Sequence, residues 1–303
     1  MTRIAVLLTC FNRRIKTVAC LNSLRQSIDN CMSTTSQEID FSIFLTDDGC
    51  TDGTADAART ACQGIDLHIV HGDGRQFWAG GMRMAWREAL RQSSDWDFFL
   101  LLNDDTVLFP HAIEELMATH TWCMENHGCS GIYSGITCAQ GHPETVTYSG
   151  DVFESGVKGK WRRLGPAGTP QMADQCNANI LLVSREVVNR IGIFHDGYIH
   201  GSADLDYCMQ ARNAGIPALV TSHIIGECEY DHISEKDECL QLMHMSLSER
   251  RKYVYHPTHS DNDYLLFVKR NIPHKYAISV TLRTIRLYCP SFYFYINKLR
   301  GLY

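Results

Sequence analysis

Two adjacent aspartates, Asp104 and Asp105, follow five consecutive apolar residues, Phe98 to Leu102. A run that short, bounded by polar residues, reads as a strand buried on both faces, as at the centre of a parallel sheet. In open α/β sheets, ligands bind in the crevice outside the carboxyl ends of the strands. Asn103-Asp104-Asp105-Thr106 thus puts an amide and two carboxylates where a ligand is expected. Neighbouring carboxylates repel unless something positive neutralises them. Oxygen donors of this kind suit a hard divalent cation, Mg²⁺ or Mn²⁺, which keeps waters and also binds phosphate. A plain polar turn has the same composition, and the dipeptide alone leaves both readings open.

Further carboxylates recur at comparable places. Asp47-Asp48-Gly49-Cys50-Thr51-Asp52-Gly53-Thr54 ends the strand-like run Asp40 to Thr46, and Thr51 or Asp52 is placed to cap a helix to about Gln63. Asp204 lies at the start of a predicted helix covering Asp206 to Asn213, which Gly215 ends. Glu227 to His232 gathers acids and a histidine near another strand end, so His232 reads as a ligand or as an ordinary surface or core residue.

The elements that must position these groups follow from periodicity. Strands are expected over Arg3 to Thr9, Asp40 to Thr46, Asp66 to Val70 and Phe98 to Leu102. Helices are expected over Arg13 to Ser27, from the Thr51–Asp52 cap to Gln63, over Met82 to Gln92, and from Pro110 to about Glu125. Asn30 to Glu38 reads as a polar loop, and Gly72 to Gly74 and Gly80-Gly81 bracket another. This alternation implies a mostly parallel sheet with flanking helices. From Gly128 to Gly168 short strand-like runs are broken by Gly and Pro, which suggests a flexible excursion over the crevice or a solvated loop. Cys176 to Val183 resumes a buried strand, Ser184 caps a helix to about Arg190, and Ala218 to Ser222 is a further strand. Neither G-x-G-x-x-G nor G-x-x-x-x-G-K-[ST] is present, so a nucleotide would be held another way.

The 303 residues, 45% hydrophobic and 20% charged, suit one large α/β domain or a domain with an appendage. A formal net charge of −6 gives no nucleic-acid signal. No apolar run approaches the roughly 18 residues of a membrane span. The chain opens directly on a strand-like run without a signal peptide, so a cytoplasmic protein is expected. Thirteen scattered cysteines contain no C-x-x-C pair and read as reduced thiols. Tyr264 to Tyr303 carries seven Lys or Arg and no acid, and Tyr276 to Tyr295 is rich in aliphatic and aromatic residues. Such a segment is either a membrane-surface element, at the inner face of the cell membrane, or a helix packed on the domain with a solvated basic side. A division into residues 1–260 and a helical basic appendage over 261–303 follows.

Four stretches together resemble the family 2 glycosyltransferases of GT-A fold. Thr9-Cys10-Phe11-Asn12-Arg13 resembles their T-x-[FY]-N-R opening. Asp47 to Thr54 resembles D-[DN]-G-S-x-D-G-T, with Cys50 for the usual Ser. Leu102 to Thr106 resembles L-[ND]-x-D-T, and Ala203-Asp204-Leu205-Asp206 with Arg212 and Gly215 resembles E-D-x-D-x-x-x-R-x-x-x-G. Phe77 to Met82 is similar to the G-x-A-G-G-N loop of the rhamnosyltransferase-like branch, with Trp78 and Met82 departing from it.

The resemblance, over roughly residues 3 to 232, implies a metal-dependent, inverting transfer of a sugar from a nucleotide-diphosphate donor to a glycan or lipid-linked acceptor. It implies that Asp47 accepts a hydrogen bond from the base. Thr9, Phe11, Asn12, Arg13, Asp48, Gly80, Gly81, Asn103 and Asp104 would lie at the donor. Asp105, completed by His232, would ligate Mn²⁺ or Mg²⁺, which neutralises the leaving diphosphate. Asp204 would be the general base toward an acceptor hydroxyl. Ala203 replaces the acid that usually precedes it. A sugar-nucleotide-binding protein without turnover is the alternative; a nucleotidyltransferase would need a Gly-rich basic loop where Cys10 to Arg13 stand.

Overall fold

The computed structural model describes residues 1–34, 38–154, 160–230, 233–259 and 261–301. The first half alternates strands and helices: β1 (Thr2–Cys10), α1 (Arg14–Thr34), β2 (Ile39–Asp47), α2 (Thr54–Ala61), β3 (Asp66–His71), α3 (Phe77–Gln92), β4 (Phe98–Leu102), β5 (Val107–Leu108) and α4 (Ala112–His127). Strands dominate next, as β6 (Ile132–Ala139), β7 (His142–Val146), β8 (Gly150–Glu154), β9 (Lys160–Arg163), β10 (Gln171–Met172), β11 (Gln175–Cys176) and β12 (Ile180–Ser184). Then come α5 (Arg185–Ile191), α6 (Ala203–Asn213) and β13 (Ala218–Glu227). Five helices end the chain: α7 (Glu235–His244), α8 (Leu247–Val254), α9 (Asp261–Asn271), α10 (Tyr276–Tyr288) and α11 (Pro290–Leu299).

The central sheet runs β3-β2-β1-β4-β12-β6-β13-β10. Its first four strands are parallel, as the alternation requires. β12 enters antiparallel between β4 and β6, while β13 is parallel to β6. β4 is buried at all five positions. Its side chains alternate between two cores because successive strand residues face opposite sides. Phe99 and Leu101 join α3 and α6 residues, among them Met82, Trp86 and Tyr207. Phe98, Leu100 and Leu102 join Leu21 and Leu24 of α1 and Leu116 of α4. Trp86 carries much of the first core, with ring centroids 5.6, 5.5 and 5.6 Å from Phe99, Phe194 and Tyr207.

Several expectations are corrected. Helix α1 continues through the expected loop to Thr34, because Cys31 is buried and Ser33 and Thr34 bond back to the Asn30 carbonyl. Helix α3 begins at Phe77, so Gly80 and Gly81 are helical rather than in a loop. The 128–168 stretch is not an excursion throughout: β6 lies inside the central sheet, and β8 with β9 and β11 forms a small second sheet. The run expected as one strand over 176–183 breaks into β11 and β12 at Asn177 to Asn179. Helices that pack on one another in the C-terminal part run from Glu235, with Leu242, Val254 and Leu287 as their own small core. α9 differs from them: Phe267 and Val268 enter the main core. Among the described residues no helix is long and apolar enough to cross a membrane. All thirteen cysteines are free, ten of them buried.

Candidate functional site

A cavity of about 510 Å³ opens beyond the carboxyl ends of β1, β2 and β4. Thr9, Cys10, Phe11, Arg13, Asp48, Trp78 and Asp104 line it, together with Phe77, His200, His256 and Thr258. Among the described residues, three non-glycine residues take left-handed backbone conformations, Asn12 (φ 51°), Phe77 (φ 51°) and Ser202 (φ 61°). Asn12 follows β1, Phe77 begins α3 and Ser202 precedes α6. Such residues persist only where surrounding structure over-determines them, and they collect at ligand sites. Asn12 is locked by its side chain, which accepts from Thr51 N–H at 2.7 Å, so the β1 and β2 turns are tied together.

The two aspartates after β4 are bridged by one guanidinium. Arg13 Nη1 lies 3.1 Å from Asp104 Oδ1, and Nη2 lies 2.7 Å from Asp105 Oδ2. Thr17, one helical turn beyond Arg13, donates to Asp104 Oδ2 at 3.0 Å. Burial pushes the Asp104 carboxyl up to about 6, against the pull of Arg13. Neighbouring carboxylates call for a positive charge, and the Arg13 guanidinium is seated across this pair. Asn103 is held from both sides: its Oδ1 accepts from Trp78 Nε1 at 2.7 Å, and its N–H donates to Asn179 O at 3.0 Å.

Asp47 is 5% exposed, accepts from Cys50 N–H at 2.7 Å and lies 3.5 Å from His71 Nδ1. Asp48, which lines the cavity, also holds the backbone beside it. Its carboxylate accepts from Gly74, Gln76 and Phe77 N–H at 2.8, 2.9 and 3.1 Å, so both oxygens hold the loop into α3. Gly80 and Gly81 are buried inside α3 rather than presented by a loop. A Cβ at Gly81 would come within 2.0 Å of Thr9 Oγ1, so this glycine lets α3 lie against β1. Its carbonyl accepts from Thr46 Oγ1 at 2.8 Å.

Asp204 sits in the first turn of α6. Its Oδ2 accepts from Ala178 N–H at 3.1 Å and its Oδ1 from Leu205 N–H at 2.9 Å. Burial raises its pKa above the ordinary carboxylate value, opposed by these N–H bonds. Residues Asn177 to Asn179 thus hold Asp204 on one side and the Asn103 turn on the other. The loop before Asp204 is clamped by α9: Asp263, 4% exposed, accepts N–H bonds from Ile199, His200 and Gly201, its Oδ2 at 3.2, 2.7 and 2.9 Å. Arg270 and Asn271 of α9 bind Asp206 at 3.0 and 2.6 Å. On the opposite side Arg83 of α3 donates to His195 O at 3.1 Å.

The structure thus brings Thr9, Phe11, Arg13, Asn103, Asp104 and Asp105 to one crevice. His232 lies outside the described residues. Trp78, His200, His256, Thr258 and Asp263 were missed by sequence reasoning. Only Thr17 had a signal, its four-residue spacing from Arg13 on one helix face.

The family model for glycosyl transferase family 2 matches residues 5–163, more than half of the chain. The chain belongs to glycosyl transferase family 2. This family 2 chain is 25% identical over 178 residues to Agl10 of Haloferax volcanii, described as a low-salt glycan biosynthesis hexosyltransferase. The match covers 56% of this chain and 52% of that protein, so it spans about half of that relative's length. Among solved structures, S. aureus TarS 1-349 in complex with UDP is 14% identical with a TM-score of 0.51, covering 90% of this chain and 72% of that one. The same protein in complex with UDP-GlcNAc is 13% identical, also with a TM-score of 0.51, covering 95% and 79%. At these identities the likeness is one of fold, and the family 2 chain has the GT-A fold.

Proposed function

We propose that the chain moves a sugar from a nucleotide-diphosphate donor to a hydroxyl of a glycan or lipid-linked glycan acceptor in surface polysaccharide assembly, with inversion at the anomeric carbon. One observation carries this reading: a pair of carboxylates bridged by Arg13, with Asp104 lining the cavity, lies one loop away from a carboxylate whose pKa burial has raised. Asp105, with Asp104 and Asn103, would hold Mn²⁺ or Mg²⁺, which when bound supplies Lewis-acid neutralisation of the leaving diphosphate. Asp47 offers a carboxylate to the base, and Phe11, 51% exposed at the cavity, offers a ring face for stacking. Asp204 takes the proton of the acceptor hydroxyl at its carboxylate. A raised pKa suits it to that task near neutral pH. A single base and no nucleophilic side chain in that role fit one in-line displacement, hence inversion.

α10 and α11 expose Ile278, Phe292, Tyr295 and Leu299, and the last turns add Lys298 and Arg300. Apolar side chains flanked by cations support contact with an anionic bilayer, as a peripheral protein at the inner face of the cell membrane would make. Deletion of Tyr276 to Tyr303 should abolish liposome binding.

Thermal stabilisation by UDP, GDP and dTDP and their sugars, with and without Mn²⁺ or Mg²⁺, tests the donor site, since a ligand of the native state raises Tm in proportion to RT ln(1 + [L]/Kd). One nucleotide should stabilise only with metal, and Asp105→Ala should remove the effect. Absence of any stabilisation overturns the reading. Asp204→Asn should keep donor binding and lose transfer. The alternative, binding without turnover, draws on Ala203, which is 1% exposed in the core and offers nothing to an acceptor. Wild-type protein that binds donor but never transfers would establish it.

A further inference from the structure

We propose that Cys10, Cys50 and Asp47 form a second, sulfur-rich cation site that takes a thiophilic divalent ion such as Zn²⁺. The three donor atoms, two Sγ and one carboxylate oxygen, lie within 4.8 Å of one another. Cys10 Sγ and Cys50 Sγ stand 3.8 Å apart. Two thiolates each about 2.3 Å from a tetrahedral Zn²⁺ stand about 3.8 Å apart, so the sulfurs already have the spacing of a bound pair.

The backbone builds this arrangement rather than leaving it to side-chain chance. Cys10 and Asp47 are register partners at the ends of parallel strands β1 and β2. Gly49, with φ 79°, turns the chain back, and Cys50 N–H donates to Asp47 Oδ1. Cys50 Sγ is steadied by Asn12 N–H at 3.2 Å. The fourth position falls to water.

Softness separates the two cation sites. Mn²⁺ and Mg²⁺ favour the all-oxygen pair Asp104–Asp105, whereas thiolates select Zn²⁺. Burial raises both thiol pKa values, so the free protein holds them protonated at neutral pH. Zn²⁺ binding forms two Zn–S bonds and releases the two thiol protons to solvent. The site also engages the carboxylate proposed to read the nucleotide base. The ion therefore competes with the donor; this consequence, unlike the site itself, rests on the proposed function.

The test is titration of the reduced, anaerobic protein with Co²⁺, followed by thiolate-to-cobalt charge-transfer absorption. One equivalent should saturate the band, and Zn²⁺ should bleach it. Cys50→Ser and Cys10→Ser should each weaken Co²⁺ binding by roughly tenfold or more, while Cys289→Ser, exposed elsewhere, leaves it unchanged. Matching circular dichroism and melting curves certify the fold of Cys50→Ser, whose thiol is only partly buried. An absent band, or one equal in wild type and both variants, overturns the proposal. Zn²⁺ should further lower UDP or GDP affinity in wild type and not in Cys50→Ser. An intact Co²⁺ band without that competition would refute the placement of the base at Asp47 and leave the cation site standing.

Discussion

Replacing Gly81 with alanine sets two effects of known size against each other. Gly81 lies inside α3, where alanine gains about 1 kcal/mol of helix propensity over glycine. The new Cβ, however, would stand 2.0 Å from Thr9 Oγ1, 2.7 Å from Thr9 Cβ and 3.3 Å from Thr9 Cγ2. Rotating χ1 moves Oγ1 and Cγ2 but not Thr9 Cβ, which the β1 backbone fixes. Carbon atoms pack at about 3.5–4.0 Å, so α3 must retreat from β1 by about 1 Å. Overpacking of that kind costs about 1–3 kcal/mol in a well-packed core. Displacement also strains the Thr46–Gly81 hydrogen bond. The net expectation is a loss of up to about 2 kcal/mol, or up to about 0.7 M in the urea midpoint at a slope of about 3 kcal/mol/M. Gly80→Ala is the control. Its Cβ meets nothing closer than 3.4 Å, so propensity should win and the midpoint should rise. Gly81→Ala at or above wild-type stability, or the two variants moving together, would refute the argument that Thr9 dictates this glycine.

Arg13→Ala removes the guanidinium that bridges Asp104 and Asp105. Breaking a buried pair costs about 3–5 kcal/mol, but Arg13 is 39% exposed, which reduces the expectation to about 1–2 kcal/mol. Tm should fall without metal, and Mn²⁺ should raise it more in the variant than in wild type; a smaller Mn²⁺ effect would count against the proposed cation site at this pair. Asp263→Ala strips the acceptor from three N–H groups at 199–201. A buried group left unsatisfied costs about 1–3 kcal/mol, but Ile199 is exposed and His200 and Gly201 are half-buried, so water takes up part of the loss; unfolding should ease by about 2–4 kcal/mol, and kcat should fall more than donor KM changes. As the proposed base Asp204 acts in its deprotonated form, and burial raises its pKa. Activity is therefore lost as pH falls through that raised value, and the acid limb of kcat/KM should lie above the roughly pH 4 of an exposed carboxylate. A limb at the ordinary carboxylate position would count against Asp204 as base.

Much of the fold around the cavity was readable where a short stretch carries its own cause. Phe98 to Leu102 is apolar at every position, so burial on both faces and a turn at Asn103 followed from five residues and their neighbours. The same holds for Asp47 at the end of β2 and Asp204 in the first turn of α6. Element ends were less legible. α3 starts at Phe77 because Asp48, 29 residues earlier, accepts N–H bonds at its entry, and no local pattern announces a cap delivered from another loop.

The order of strands and helices in the first half, the buried fourth strand and the acidic turns beyond it are properties of the sequence by itself, since periodicity and turn chemistry act over a few residues. Only the tertiary structure decided that β12 enters antiparallel beside β4, that Arg13 spans carboxylates 91 and 92 residues away, and that Asp263 holds the loop before Asp204. Each of these depends on side chains brought together by sheet closure, and the free energy of such contacts is written in no stretch of chain short enough to read alone.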